Sequence, residues 1–138
     1  MNYPRIYADY NGIQISPRNI SRRAVPLDTF GSLKELSNAG IRLQNEMKLV
    51  IYDYSDEVED LESNVVIYWD TRRKVWLAEI IDEEIIYISK RDRQVVTEFL
   101  CLKCRSQIQD YIAKHGMNNS TVCPYCGEKI ISAIEPPV

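Results

Sequence analysis

At 138 residues, 45% of them apolar and 27% charged, the chain has the length and composition of one soluble domain, or of a small domain joined to a metal-stapled module. A formal net charge of -3, from 17 Lys/Arg against 20 Asp/Glu, excludes the broadly basic footprint of a generic nucleic-acid binder. With 5 Gly and 6 Pro it is not a low-complexity or collagen-like chain, and its longest apolar run, Val65 to Trp69, falls far short of the roughly 20 residues of a membrane span.

The start, Met1 to Asp9, lacks a basic-then-apolar signal pattern, so the expectation is a cytoplasmic protein with no membrane partner. Residues 1–28 read as irregular, with one candidate hairpin in which Arg5–Ala8 pairs with Gly12–Ser16 around Asn11-Gly12, a dipeptide that tolerates positive φ. Residues 29–40 predict a short helix. Ser32-Leu-Lys-Glu35 matches a capping box, Leu33 and Leu36 share a face, and Gly40 suits a left-handed stop. A strand-rich block follows: Leu49–Tyr54, an acidic loop over 55–63, Val65–Trp69, a turn over Asp70–Lys74, then Val75–Ile81 and Ile85–Ile88. The pattern over about 41–89 is similar to that of SH3-like barrels. Lys90–Arg93 reads as a polar hinge, which divides the chain into a β-rich domain (1–92) and a cysteine module (93–138). Residues 135–138 read as a loose tail. The fold class expected is α+β: a small antiparallel barrel or sheet with one short helix, then a Cys₄ zinc module with an inserted helix.

All four cysteines fall in one pattern, Cys101-Leu-Lys-Cys104 and, further on, Cys123-Pro-Tyr-Cys126. Two residues between cysteines allow a tight turn that aims both sulfurs at one point, and two such turns complete a tetrahedron around a soft cation. The spacing lies in the range read as a zinc site. Disulfides, a redox-active pair and an iron centre are the alternatives. Cys123-Pro124-Tyr125-Cys126-Gly127 resembles the C-P-x-C-G knuckle of zinc ribbons and rubredoxin-like proteins over about residues 99–131. That resemblance implies Cys101, Cys104, Cys123 and Cys126 as the ligands of one Zn²⁺. The first pair departs from the pattern, because Arg105 stands where the knuckle has Gly. With every ligand a sulfur, the zinc is expected to be structural. Between the pairs, residues 106–115 predict a helix with Ile108, Tyr111, Ile112 and His115 on one face, stopped by Gly116. His115, the single histidine, reads as a packed helix-end residue.

No phosphate loop, nucleophile elbow or His-Glu-x-x-His motif occurs, so an enzyme is not expected. The acidic stretch Asp53 to Glu62 lacks the order of a calcium loop and reads as solvated. Tyr52, Tyr54, Tyr68, Trp69, Trp76 and Tyr87 read as sheet packing, with a partner surface as the alternative. The functional expectation is a non-enzymatic, zinc-binding adaptor or regulatory protein that contacts another macromolecule, in the first place a protein. A nucleic-acid-associated regulator is one alternative. It needs Arg18, Arg22, Arg23, Arg72, Arg73 and Lys74 to converge beside the aromatics. A small enzyme or enzyme inhibitor is the other.

Overall fold

The computed structural model describes residues 3–54, 59–83, 85–89, 99–101, 103–116, 120–130 and 136–137, with backbone alone for Tyr54 and 86–89. The expected hinge at 90–93 and two of the four residues of the expected tail, 135 and 138, lie outside the described residues. The longest strand, β5 (Glu59–Asp70), organises the sheet. One side of it pairs antiparallel with β4 (Lys48–Tyr54). The other side pairs with β7 (Ile86–Ser89) along Glu59–Glu62 and with β6 (Val75–Ile80) along Val65–Asp70. Beyond β6 lie β3 (Asn19–Pro26) and then β2 (Gln14–Ser16), and beyond β4 lies β1 (Arg5–Tyr7), the one parallel partner. The order β1-β4-β5-β6-β3-β2, with β7 on β5, leaves β1 and β2 at opposite ends. Of the two expected arrangements, barrel or sheet, the protein forms an open sheet, in an α+β fold.

One face of the sheet carries the main core. Ile6, Val25, Leu27, Ile51, Val65, Ile67, Trp76, Ala78 and Ile80 meet Leu33 and Leu36 of α1 (Phe30–Ala39). Burying each large aliphatic or aromatic side chain contributes roughly 1.5–3 kcal/mol. The second face holds a smaller cluster of Ala24, Tyr68 and Leu77. On it, each of two tyrosines is covered by an arginine. Arg5 stacks on Tyr52 at 3.9 Å while binding Asp60 and Glu62, and Arg18 stacks on Tyr68 at 4.2 Å while binding Glu79 and Glu46. Ser16 Oγ donates to Glu79 Oε2 at 2.6 Å and lies 3.0 Å from the Tyr68 hydroxyl, which clasps the β2–β3 hairpin to β6. Tyr52, Tyr68 and Trp76 are therefore buried packing residues and Trp69 is half-buried against Trp76, while the side chains of Tyr54 and Tyr87 lie outside the described set.

Three local expectations are corrected. First, the hairpin around Asn11-Gly12 does not form. Asp9 Oδ1 accepts the Asn11 N–H and starts a 3₁₀ turn over Tyr10–Gly12, neither Asn11 nor Gly12 takes a positive φ, and β1 and β2 find different partners. Second, residues 59–63 are not loop but strand, and Arg5 binds two of their carboxylates, Glu62 at 2.8 Å and the fully buried Asp60 at 3.2 Å. Third, Ser32 and Glu35 do not form a capping box. Thr29 is the N-cap of α1, and Gly40, at φ 70°, ends the helix as expected.

Ser32 and Glu35 instead serve the sheet. Pro4 C=O and Ala8 N–H bond to β4, so the main-chain groups of Tyr7 point outward from the edge strand. Ser32 Oγ donates to Tyr7 C=O at 2.6 Å, and Glu35 Oε2 accepts the Tyr7 N–H at 3.0 Å and the Tyr52 hydroxyl. The helix thus seals an edge that would otherwise template pairing with another chain. Close approach is required, since a Cβ on Gly31 would lie 2.7 Å from the Tyr7 ring.

Two outcomes follow from this packing. Gly31→Ala, which would stabilise an ordinary helix by about 0.5–1 kcal/mol, should here destabilise by about 1–3 kcal/mol in urea unfolding, and the penalty should vanish in a Tyr7→Ala background. Glu79 is only 5% exposed, and although burial raises its pKa, hydrogen bonds from Arg18 and Ser16 prevail and hold it below the ordinary carboxylate value. Its stabilising contribution is then complete above the unfolded-state pKa of about 4.3 and is lost as pH falls through the lower folded value. Glu79→Gln should flatten that part of the stability–pH curve, and an unchanged acid limb would count against the clasp.

Candidate metal centre

The two cysteine pairs sit on turns of the same backbone design. Cys101 N–H donates to Ser106 C=O, Arg105 N–H to Cys101 C=O, and Ile108 N–H to Phe99 C=O. The second turn repeats all three bonds: Cys123 to Glu128, Gly127 to Cys123, and Ile130 to Thr121, at 2.8–3.0 Å. Antiparallel bridges Leu100↔Gln107 and Val122↔Lys129 close the two loops. In each turn the residue after the second cysteine is left-handed, Gly127 at φ 76° and Arg105 at φ 63°. Arg105 therefore adopts the conformation that its glycine counterpart adopts freely, and the departure from the knuckle pattern is one of residue type only.

Facing each other, the turns bring four sulfurs within 4.8 Å of one another. Cys101 Sγ lies 3.7 Å from Cys126 Sγ, and Cys104 Sγ lies 3.8 Å from Cys123 Sγ. Four sulfurs about 2.3 Å from a central ion stand about 3.8 Å apart, so the donor set fits one tetrahedral cation. All four cysteines are free, and the closest sulfur contacts across the turns are well beyond an S–S bond of about 2.05 Å, which does not match the disulfide alternative. Cys101 and Cys123 are buried, whereas Cys104 and Cys126 are exposed.

The electrostatics of the site favour an ion. The Ser106 hydroxyl, 3.2 Å from Cys104 Sγ, and the Ser106 amide donate to the thiolate and draw Cys104 down to about 6. The Glu128 amide pulls Cys126 the same way, but desolvation and the neighbouring sulfurs of Cys101, Cys104 and Cys123 prevail and push it up to about 12. Four thiolates this close repel one another, and a divalent cation between them removes the conflict.

Beneath the sulfurs lies a second, separate core of Phe99, Ile108, Ile112 and Ile130, with Tyr111 packed against it. Ile108 and Ile112 fill the inward face of α2 (Gln109–His115), as the sequence periodicity predicts, although the helix is shorter than expected. His115 is exposed rather than packed into a core, its ring 4.6 Å from Tyr111. Among the described residues, two contacts tie this core to α1. Phe30 and Phe99 have ring centroids 6.0 Å apart, and Leu100 N–H donates to Asn38 Oδ1 at 2.9 Å. Phe30, read from the sequence as extending the Leu33–Leu36 face, turns instead to Phe99, and the role of Asn38 was not signalled, because it lies off that face.

The cationic residues do not gather. Arg18 is committed to Glu79 and Glu46. Arg22 and Arg23 border a cleft at the end of β6, beside Asp82 and Glu83. Arg72, Arg73 and Lys74 are exposed on the β5–β6 turn, at the opposite end of that six-residue strand, with Arg73 3.6 Å from Asp70. No protein-family model, no curated protein and no solved structure matches the chain. Among the described residues no helix is long and apolar enough to cross a membrane.

The matched turns give a conformational test. No atom lies within 4 Å of a Cβ placed on Gly127, so Gly127→Ala should cost only its backbone strain, about 1 kcal/mol, whereas Arg105→Gly should cost nothing. Thermal unfolding of the metal-loaded protein measures both, and a loss on Arg105→Gly equal to that of Gly127→Ala would contradict the equivalence of the turns.

Proposed function

We propose that the protein is a zinc-binding, non-enzymatic adaptor that contacts another macromolecule, and that its zinc is structural. The observation that carries this reading is the convergence of Cys101, Cys104, Cys123 and Cys126 within 4.8 Å. Thiolates select zinc or iron over magnesium or calcium, and four protein sulfurs leave no open coordination position for a substrate or an activated water. Among the described residues the core under the site has six buried members, two of them the cysteines themselves, and so small a core favours a staple. Its separation from the larger core supports a division into a sheet domain (1–92) and a metal module (93–138).

Elemental analysis of the purified chain should give about one zinc per molecule; iron in its place, or no metal, would refute the assignment. Cys123→Ser should lose the metal and make residues 99–130 sensitive to protease. The sheet should survive, and both tryptophans, Trp69 and Trp76, lie in it, so their fluorescence reports that part alone. Retained protease resistance without metal would remove the structural role.

A further inference from the structure

The two turns share one backbone pattern but not one environment. In the first, Leu100 belongs to the bridged pair whose main-chain groups point away from the turn, because the bonds on either side of it are made by Phe99 and Cys101. Its outward N–H is taken by Asn38 of α1, and the adjoining Phe99 ring meets Phe30 of the same helix. In the second turn Val122 holds the place of Leu100. Its flanking residues Thr121 and Cys123 make the equivalent bonds, so its N–H points outward in the same way. No helix meets it among the described residues. Thr121 replaces Phe99, and the apolar surface comes instead from Val122, 44% exposed, and from Tyr125, 71% exposed at the tip between the two cysteines. The first turn carries Lys103 at the position of Tyr125, so the exposed aromatic belongs to the turn that no helix meets among the described residues.

We propose that the second turn is a docking surface for a helix of another protein, held as α1 is held by the first. That helix would present a side-chain oxygen to the Val122 N–H and an apolar or aromatic side chain to Val122 and Tyr125. The template is on the molecule: Asn38 and Phe30 supply these two groups from α1. A second copy's α1 is not the occupant, because its Asn38 already accepts the Leu100 N–H within its own chain. The inference rests on the adaptor reading and names its contact surface and the kind of partner that fits it. The surface owes its shape to the ion, since Val122 immediately precedes a metal-ligating cysteine and Tyr125 lies between two.

The test uses the full, metal-loaded, ¹⁵N-labelled chain and a synthetic peptide of the α1 sequence, Asp28 to Gly40, stapled to stay helical. Saturable amide shifts at Val122 and Tyr125 are expected. An Asn38→Ala peptide should bind roughly three- to tenfold more weakly, as for loss of one neutral hydrogen bond. Tyr125→Ala or Val122→Asp in the protein should abolish the shifts while metal content and tryptophan fluorescence stay unchanged, and chelation should abolish them too. Silence at Val122 in zinc-loaded protein would overturn the docking surface and leave the zinc reading standing. So would shifts confined to Leu100, shifts that survive chelation, or equal binding by the Asn38→Ala peptide. A sample that holds no metal would remove both readings.

Discussion

Four sulfurs held within 4.8 Å of one another are an unfavourable arrangement unless a cation lies between them, and the carboxyl-terminal part of the chain is built around that arrangement. Each pair is delivered by a turn whose amides are already committed, Cys101 to Ser106 and Cys123 to Glu128, so the sulfurs are placed by main-chain geometry rather than by side-chain choice. Among the described residues little else could hold this part. Its helix α2 has seven residues and an N-cap, Ile108, with no side-chain cap, and so short a helix does not persist without tertiary support. Phe99, Ile108 and Ile130 pack directly beneath the turns. A divalent ion at the centre would therefore act on the ligands, the core and the helix together, and its binding free energy would become folding free energy for all three.

The sheet domain has its own controlling element in α1, which works in three directions. Leu33 and Leu36 face the main core, Ser32 and Glu35 close the outer edge of β1, and Phe30 and Asn38 reach the cysteine module. A ten-residue helix can do this because its faces are assigned to different partners, with Gly31 thinning the side that must approach the Tyr7 ring. The two cores are distinct clusters, and among the described residues α1 touches both.

The parts of the fold legible in the sequence are those where one local signal dominates. Gly40 marked the end of α1, the Asp70–Lys74 turn marked the β5–β6 hairpin, and two cysteine pairs at zinc spacing marked the metal centre. The parts that were not legible depend on partners distant in sequence. Residues 59–63 look like an acidic loop because their neutralising group, Arg5, lies more than fifty positions away. Strand β3 is hidden by Arg22-Arg23, and becomes a strand because Ala24 and Val25 register against Glu79 and Ala78. Ser32-x-x-Glu35 has the spacing of a capping box, yet the amide that it satisfies belongs to Tyr7, since an unsealed sheet edge competes for the same side chains. At Arg105, residue type pointed away from the knuckle conformation, and the main-chain bonds of the turn imposed it nonetheless.

The uneven charge along the sequence has a related explanation. Residues 1–50 carry +3 and residues 51–98 carry -7, which by itself suggests a basic face opposed to an acidic one. In the fold these segments interleave: Arg5 from β1 lies between Asp60 and Glu62 of β5, and Arg18 lies between Glu46 and Glu79. Each guanidinium also lies over a tyrosine ring, so its charge is spent inside the second face rather than displayed. Of the candidate contact cations that stay outside, Arg22 and Arg23 lie at one end of β6 and Arg72, Arg73 and Lys74 at the other. Those two groups and Arg18 therefore do not form one patch. The exposed apolar residues on the second cysteine turn, with an outward main-chain donor beside them, offer a more specific means of recognition, and they are positioned by the same bonds that place the sulfurs.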